Sequence, residues 1–229
     1  MSTASSIPTK DITWVRGDSD DILVTVKEPD PNSTTTPPAQ ITVRLDQAVD
    51  GTPDRRAVMR FAAREDPDDV TPLFEKFDSD PEQITYLDQT VQATEGQAVI
   101  YIDKPDTETL DAGPAGSPVL YPYDLEVTRQ DFIRNGAQGG TISLVAGSNA
   151  VVGVGTAFTQ AKVGDVLQPL GGLNDNRPAV IQSIVDDTNI TVHHGDWVNE
   201  PGIVFEIRRG RSFTGARGNI CLEVGQVRL

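Results

Sequence analysis

The chain has 229 residues, 34 acidic against 19 basic side chains, a net charge of −15 and a single cysteine. A folded chain of this length hides roughly 70% of its unfolded surface, so it needs no disulfide or metal staple; Cys221 standing alone excludes an intrachain disulfide and a secreted disulfide scaffold. The acidity is uneven, with 26 acidic and 12 basic side chains in residues 1–134, 7 and 4 in 135–209, and 1 and 3 in 210–229, and such a surface disfavours nucleic acid and membrane headgroups as partners.

That acidity serves either solubility or a basic neighbour in an assembly. No apolar run approaches the ~18 residues of a membrane span, and MSTASSIPTKD lacks the charged-then-apolar pattern of a signal peptide. Synthesis and retention in a cytoplasm are therefore expected.

In chain order, period-two runs bounded by turn residues fall at Ile12–Val15, Ile22–Val26, Ile41–Leu45, Val58–Ala62, Ile84–Leu87, Ala98–Ile102 and Tyr123–Val127. Helical periodicity is nearly absent, save for one turn expected at Asp106–Leu110 between Pro105 and Gly113-Pro114. The spacing points to an all-β chain built as an antiparallel sandwich or barrel. Pro29–Pro38 reads as a hairpin excursion or a disordered flap. The acidic loops Asp66–Asp69 and Asp78–Glu82 lack the spacing of a calcium loop and read as solvated loops.

Tyr121–Arg129 (YPYDLEVTR) is a strand whose partner should follow a short turn. Instead, short β-branched runs separated by Gly, Asn and Asp fill Thr141 to His193, and only Ser212–Leu229 supplies Ile220, Leu222 and Val224 in the missing alternation. The expected architecture is an antiparallel β-sandwich of residues 1–134 and 210–229, with a small β-barrel-like domain, 135–209, inserted near its C-terminus.

Few residues suggest chemistry. His193 and His194 are strand neighbours pointing to opposite faces, and they read as a strand end before Gly195-Asp196 rather than as metal ligands. Gly153-Val154-Gly155 lacks the third glycine and the helix of a phosphate-binding loop; it reads as a tight turn or bulge, with Phe158 plugging a small core. Arg16-Gly17-Asp18 spells an adhesion tripeptide but fits a simple turn. No serine sits in a G-x-S-x-G elbow, and with two Trp and four Tyr, aromatic platforms for a sugar are scarce. No catalytic residue, metal or cofactor is expected.

Two resemblances bear on function. Residues 138–208 contain G-S-x-x-V-x-G-x-G-T-x-F from Gly147, V-G-D-V-L from Val163 and I-x-S-I-x-x-D-x-x-I-T-V from Ile181. This wording resembles a small β-module of tailed-phage tail fibre and adaptor proteins. Residues 11–129 and 211–229 carry W-V-R-G-D at Trp14, ITVRL at Ile41, GQAVIYI at Gly96, T-x-x-L-x-x-G at Thr107 and Y-x-Y-D-L-x-V at Tyr121. That order resembles the N-terminal β-sandwich domain of phage baseplate upper proteins, with the final G-x-I-x-V element displaced to Gly218–Val224 by the module. The departures are the extra loop Asp46–Asp54, the insert Pro114–Pro118 and the module itself.

The resemblances imply a structural subunit of a virion (tail, baseplate, neck or capsid-attached), assembled in the host cytoplasm with other virion proteins, and a homo-oligomer in the assembly. The alternative is a receptor- or glycan-binding tail module. Candidate interface residues are Asn174, Asn176, Arg177, Trp197 and Val198 at the module's ends, and Thr3, Ile7 and Lys10 in the N-terminal arm. Trp197, in a polar G-D-W-V-N-E-P-G turn, is either an interface anchor or a lid on the module's own core.

Overall fold

The computed structural model describes residues 12–15, 19–30, 32–67, 69, 71–108, 110–111 and 119–223. Thr3, Ile7, Lys10 and the Arg16-Gly17-Asp18 tripeptide lie outside the described residues. The protein is nearly all β, with 46% of residues in strands and 4% in helix, and contains a closed six-stranded barrel beside other sheets. The chain divides into two compact units, one from Met1–Arg44, Met59–Glu126 and Thr214–Leu229, the other from Leu45–Val58 and Val127–Phe213.

In chain order the strands begin with β1 (Ile12–Val15), β2 (Asp20–Thr25), β3 (Lys27–Pro29) and β4 (Gln40–Thr42). They continue with β5 (Val58–Ala63), β6 (Phe74–Phe77), β7 (Ile84–Tyr86) and β8 (Gln97–Ile102). Helix α1 (Lys104–Glu108) precedes the long strand β9 (Val119–Ile133). Every period-two run expected from sequence overlaps a strand, whereas β3 and β6 carry no such signal. Pro29–Pro38 is a hairpin excursion, since β3 and β4 pair antiparallel across it.

In the first unit, β2, β8 and β7 form one antiparallel sheet. Along β8 the side chains of Ala98, Ile100 and Ile102 are buried while their neighbours are half-buried, the alternation of a strand with one face on a core. Phe61 of β5 stacks on Tyr123 of β9 at 5.2 Å between ring centroids and lies 6.1 Å from Phe74 of β6. Strand β1 pairs in parallel with the C-terminal stretch of the last strand, Ile12 opposite Ile220 and Trp14 opposite Leu222.

The second unit holds the barrel. Its strands are β10 (Thr141–Leu144), β11 (Ala150–Val154), β12 (Val166–Leu170), β13 (Ala179–Ile184), β14 (Asn189–Val192) and the first part of β15 (Glu200–Glu223). They neighbour one another in the order β10-β11-β14-β13-β12-β15, and β10 pairs again with β15, Ile142 opposite Ile203. Closure removes the open edges that so short a sheet would otherwise present. A barrel this narrow is filled by side chains, here Ile142, Leu144, Phe158, Leu167, Trp197 and Phe205 among others. Gly153 is required where it stands: a Cβ there would lie 2.3 Å from the Thr156 hydroxyl and 3.0 Å from the Phe158 ring. Its absence lets the 156–158 turn fold over the strand and drop Phe158 into the core, against Phe205 at 5.7 Å.

Strands β9 and β15 are neighbours in one sheet, so residues 134–199 leave and return between adjacent strands. Along β9 the buried and half-buried side chains alternate from Tyr121 to Val127, and then Thr128, Arg129 and Gln130 are all buried. From Val127 to Gln130 both faces of the strand are covered.

Candidate functional site

In the barrel wall, β12 and β15 run antiparallel with Val166 opposite Arg208, Gln168 opposite Glu206 and Leu170 opposite Val204. Leu167, Phe205 and Ile207 belong to the core, so by strand alternation Gln168, Glu206 and Arg208 form a polar column on the outer wall. Such a column is ordinarily solvated. Here all three side chains are buried, because residues 45–58 lie over them as a strap.

The strap is anchored by packing and by charge. Val58 packs with Val166 and Val180, and Leu45, Ala48 and Ala57 are buried. Arg55 Nε donates to Glu206 at 2.5 Å, and Arg208, only 2% exposed, donates to Asp50 at 2.7 Å and to the Asp131 carbonyl at 2.9 Å. The amide of Gln130 donates to the Arg56 carbonyl and to Gln168, each at 3.0 Å, while the Val49 N–H donates to the Gln130 carbonyl at 2.7 Å. Buried ion pairs of this kind add little net stability, but removing one partner strands the other, which fixes where the strap must sit. Asp50 stays 45% exposed at the strap's tip. Its carboxyl is held below the usual carboxylate range first by the Thr52 hydroxyl and backbone N–H, with Arg208 adding to the effect.

At one end of the strap lies an open cleft of about 510 Å³ lined by Asp54, Arg55, Leu170, Gly171, Asp175 and Asn176. Asp54 and Asn176 both adopt φ +56°, the left-handed region that Asp and Asn tolerate best after glycine. The conformation of the 171–176 loop is fixed by acceptors. Asp175 Oδ1 accepts from the backbone N–H of Gly171 and Asn176, and the Glu200 carboxylate accepts from the N–H of Leu173 and Asn174. Arg56 Nε closes the other side through the Asn176 carbonyl at 3.0 Å. The lining is rich in acceptors and offers a surface for donor-bearing groups of a partner rather than a closed chamber.

No family model matches this chain, and no curated protein matches it.

Among the residues expected at an interface, Asn176 is exposed and lines the cleft, Arg177 donates to the Asp196 carbonyl at 2.8 Å, and Val198 is at the surface. Asn174 and Trp197 offer no surface. Asn174 is fully buried, accepting from the Val198 N–H at 2.9 Å and donating to the Val198 carbonyl and the Glu200 carboxylate, so it clamps two loops of its own unit. Trp197 is part of the barrel core, the lid alternative of its two readings. The hydrophobic residues beside them, Leu173 and Val204, are the exposed ones.

His194 is buried and His193 half-buried, just after β14 ends at Val192. Among the described residues no three His, Cys, Asp or Glu side chains are grouped to hold a metal ion. The strap was missed in sequence because Asp46–Asp54 has the composition of a polar loop. The available signal was the pair Glu206 and Arg208 alternating with the apolar Phe205 and Ile207, which asks for a cover with complementary charge.

Proposed function

We propose that the chain is a structural subunit of a tailed-phage virion, a tail, baseplate, neck or capsid-attached protein acting through assembly contacts. In this reading the first unit is a docking β-sandwich and the barrel is a guest domain carried between two of its strands. The observation that carries it is the chain order at β9 and β15. A strand bearing Y-x-Y-D-L-x-V neighbours a strand bearing G-x-I-x-L, and the tail-module-like sequence lies between them. The exposed cleft and the apolar residues Leu173, Val198 and Val204 at the barrel's end then serve as contact surface.

Particles released from cells that encode the chain, banded on a density gradient and analysed by peptide mass spectrometry, should contain it at fixed stoichiometry to the tail or head proteins. Its absence from intact particles refutes the assignment. Adsorption of the isolated protein to host cells or glycans, without incorporation into particles, would move it to the receptor-binding reading.

A further inference from the structure

The two units differ sharply in charge. The segments of the first unit contain 23 acidic and 10 basic side chains, those of the barrel unit 11 and 9, for net charges of −13 and −2. Two of the barrel unit's cations flank one aromatic ring. The guanidinium carbons of Arg134 and Arg209 lie 5.5 and 5.6 Å from the centroid of Phe132, which is 45% exposed. Arg134 is clasped by Asp165 through two hydrogen bonds, at 2.9 and 2.8 Å, and the same carboxylate accepts from the Lys162 backbone N–H. The Lys162 backbone is thereby held against Asp165, the partner of Arg134, and the adjoining Val163 is 65% exposed. Arg211 follows Arg209 by two residues in β15, on the same side of the strand.

Asp165 neutralises Arg134. Lys162, Arg209 and Arg211 are exposed and have no carboxylate within ion-pair distance among the described residues. In a chain with nearly twice as many acids as bases, the unpaired Arg209 over the exposed Phe132 ring, with Arg211 two residues on along the same strand, forms an anion-seeking surface. An aromatic flanked by arginines is also the composition enriched at protein interfaces.

We propose that this patch is a self-association surface on which the acidic first unit of a second copy docks, head to tail. Patch against patch would oppose like charges, so each patch meets a different surface of its neighbour; repeated head to tail, that contact leads to a ring or an open filament. The first unit of a neighbour supplies the complementary charge. With a Debye length of about 8 Å at physiological salt, repulsion between the remaining acidic surfaces is screened while the contact itself is not. A nucleic acid would meet the same cations but is disfavoured by the chain's net charge of −15. The proposal goes beyond the virion reading, because it rests on the surface and not on the resemblance.

Sedimentation velocity of the full chain, from micromolar to several hundred micromolar at physiological salt, should show reversible association. Arg209→Glu combined with Arg211→Glu should weaken it at least about tenfold, or ~1.4 kcal/mol, and Phe132→Ala should weaken it independently, with the unfolding transition unchanged in both. The doubly reversed variant keeps its acidic unit, so adding it to the wild type should cap growing assemblies and reduce their size. A wild type that stays monomeric throughout, association indifferent to the reversals, or failure to cap would each overturn the proposal. So would binding of a single-stranded oligonucleotide that is lost in the same variant.

Discussion

Replacing Asn174 by alanine separates a structural clamp from a contact residue. The side chain makes three hydrogen bonds, two to the backbone of Val198 and one to the Glu200 carboxylate at 2.9 Å. Neutral hydrogen bonds contribute ~1 kcal/mol net and one to a charged group ~2, giving about 4 kcal/mol before relaxation. Val198 lies at the surface, so water can reach its freed N–H and carbonyl, which lowers the expected loss to about 3 kcal/mol. For a chain of this size that corresponds to a midpoint about 6 to 12 °C lower. Urea unfolding followed by tryptophan fluorescence is the suitable assay, because Trp197 lies in the barrel core. A loss below ~0.5 kcal/mol, the range of ordinary surface substitutions, would refute the clamp and return Asn174 to the list of contact residues.

Arg208→Met should destabilise the barrel unit by ~3 kcal/mol, because it removes the buried cation bonded to Asp50, Glu206 and the Asp131 carbonyl; adding Glu206→Gln should deepen that loss in the same urea titration, since it takes the carboxylate from Arg55 as well. Gly140→Ala should cost more than ~2 kcal/mol, since its φ is +72° and a Cβ would lie 2.1 Å from the Val154 carbonyl oxygen, and far-ultraviolet circular dichroism melts will register it. Asp50 and Asp186 are held below the ordinary value of 3.8, Asp50 first by the Thr52 hydroxyl and Asp186 first by the Thr188 backbone N–H. Their contribution is therefore full above pH 3.8 and is lost as pH falls through the lower folded-state values; Asp50→Asn with Asp186→Asn should flatten the acid limb of the stability–pH curve. Deleting residues 135–209 alone should leave a poorly soluble product, because the strap's Leu45, Ala48 and Ala57 lose their cover, whereas also replacing 46–56 with a short turn should restore a cooperative transition by calorimetry.

Strand positions were legible wherever one face is buried and the other is not. Ala98–Ile102 and Tyr121–Val127 show that pattern in sequence and in structure. Legibility fails where both faces are covered, as at Thr128–Gln130, or where the strand is short and amphipathic, as at Phe74–Phe77, whose Lys76 is buried against Asp106 at 2.6 Å. The strap failed for a further reason: its burial depends on partners such as Glu206, 151 residues from Arg55, and local composition carries no trace of a contact at that separation. Asn174 and Asn176 illustrate the same limit at the candidate surface. Two asparagines two residues apart in one turn look equivalent in sequence, yet Glu200 and Val198 draw the first inward and leave the second at the cleft.

The reach of the strap also sets an order of events during synthesis. Residues 45–58 leave the ribosome long before Glu206 and Arg208 exist, and β1 has to wait for Ile220–Glu223. Loop closure over such distances is slow, so the nascent chain spends most of its translation with Leu45, Ala48 and Ala57 uncovered and β1 unpaired. The acidic early segment, with its many carboxylates, keeps that waiting chain self-repelling and dispersed until the last strand arrives.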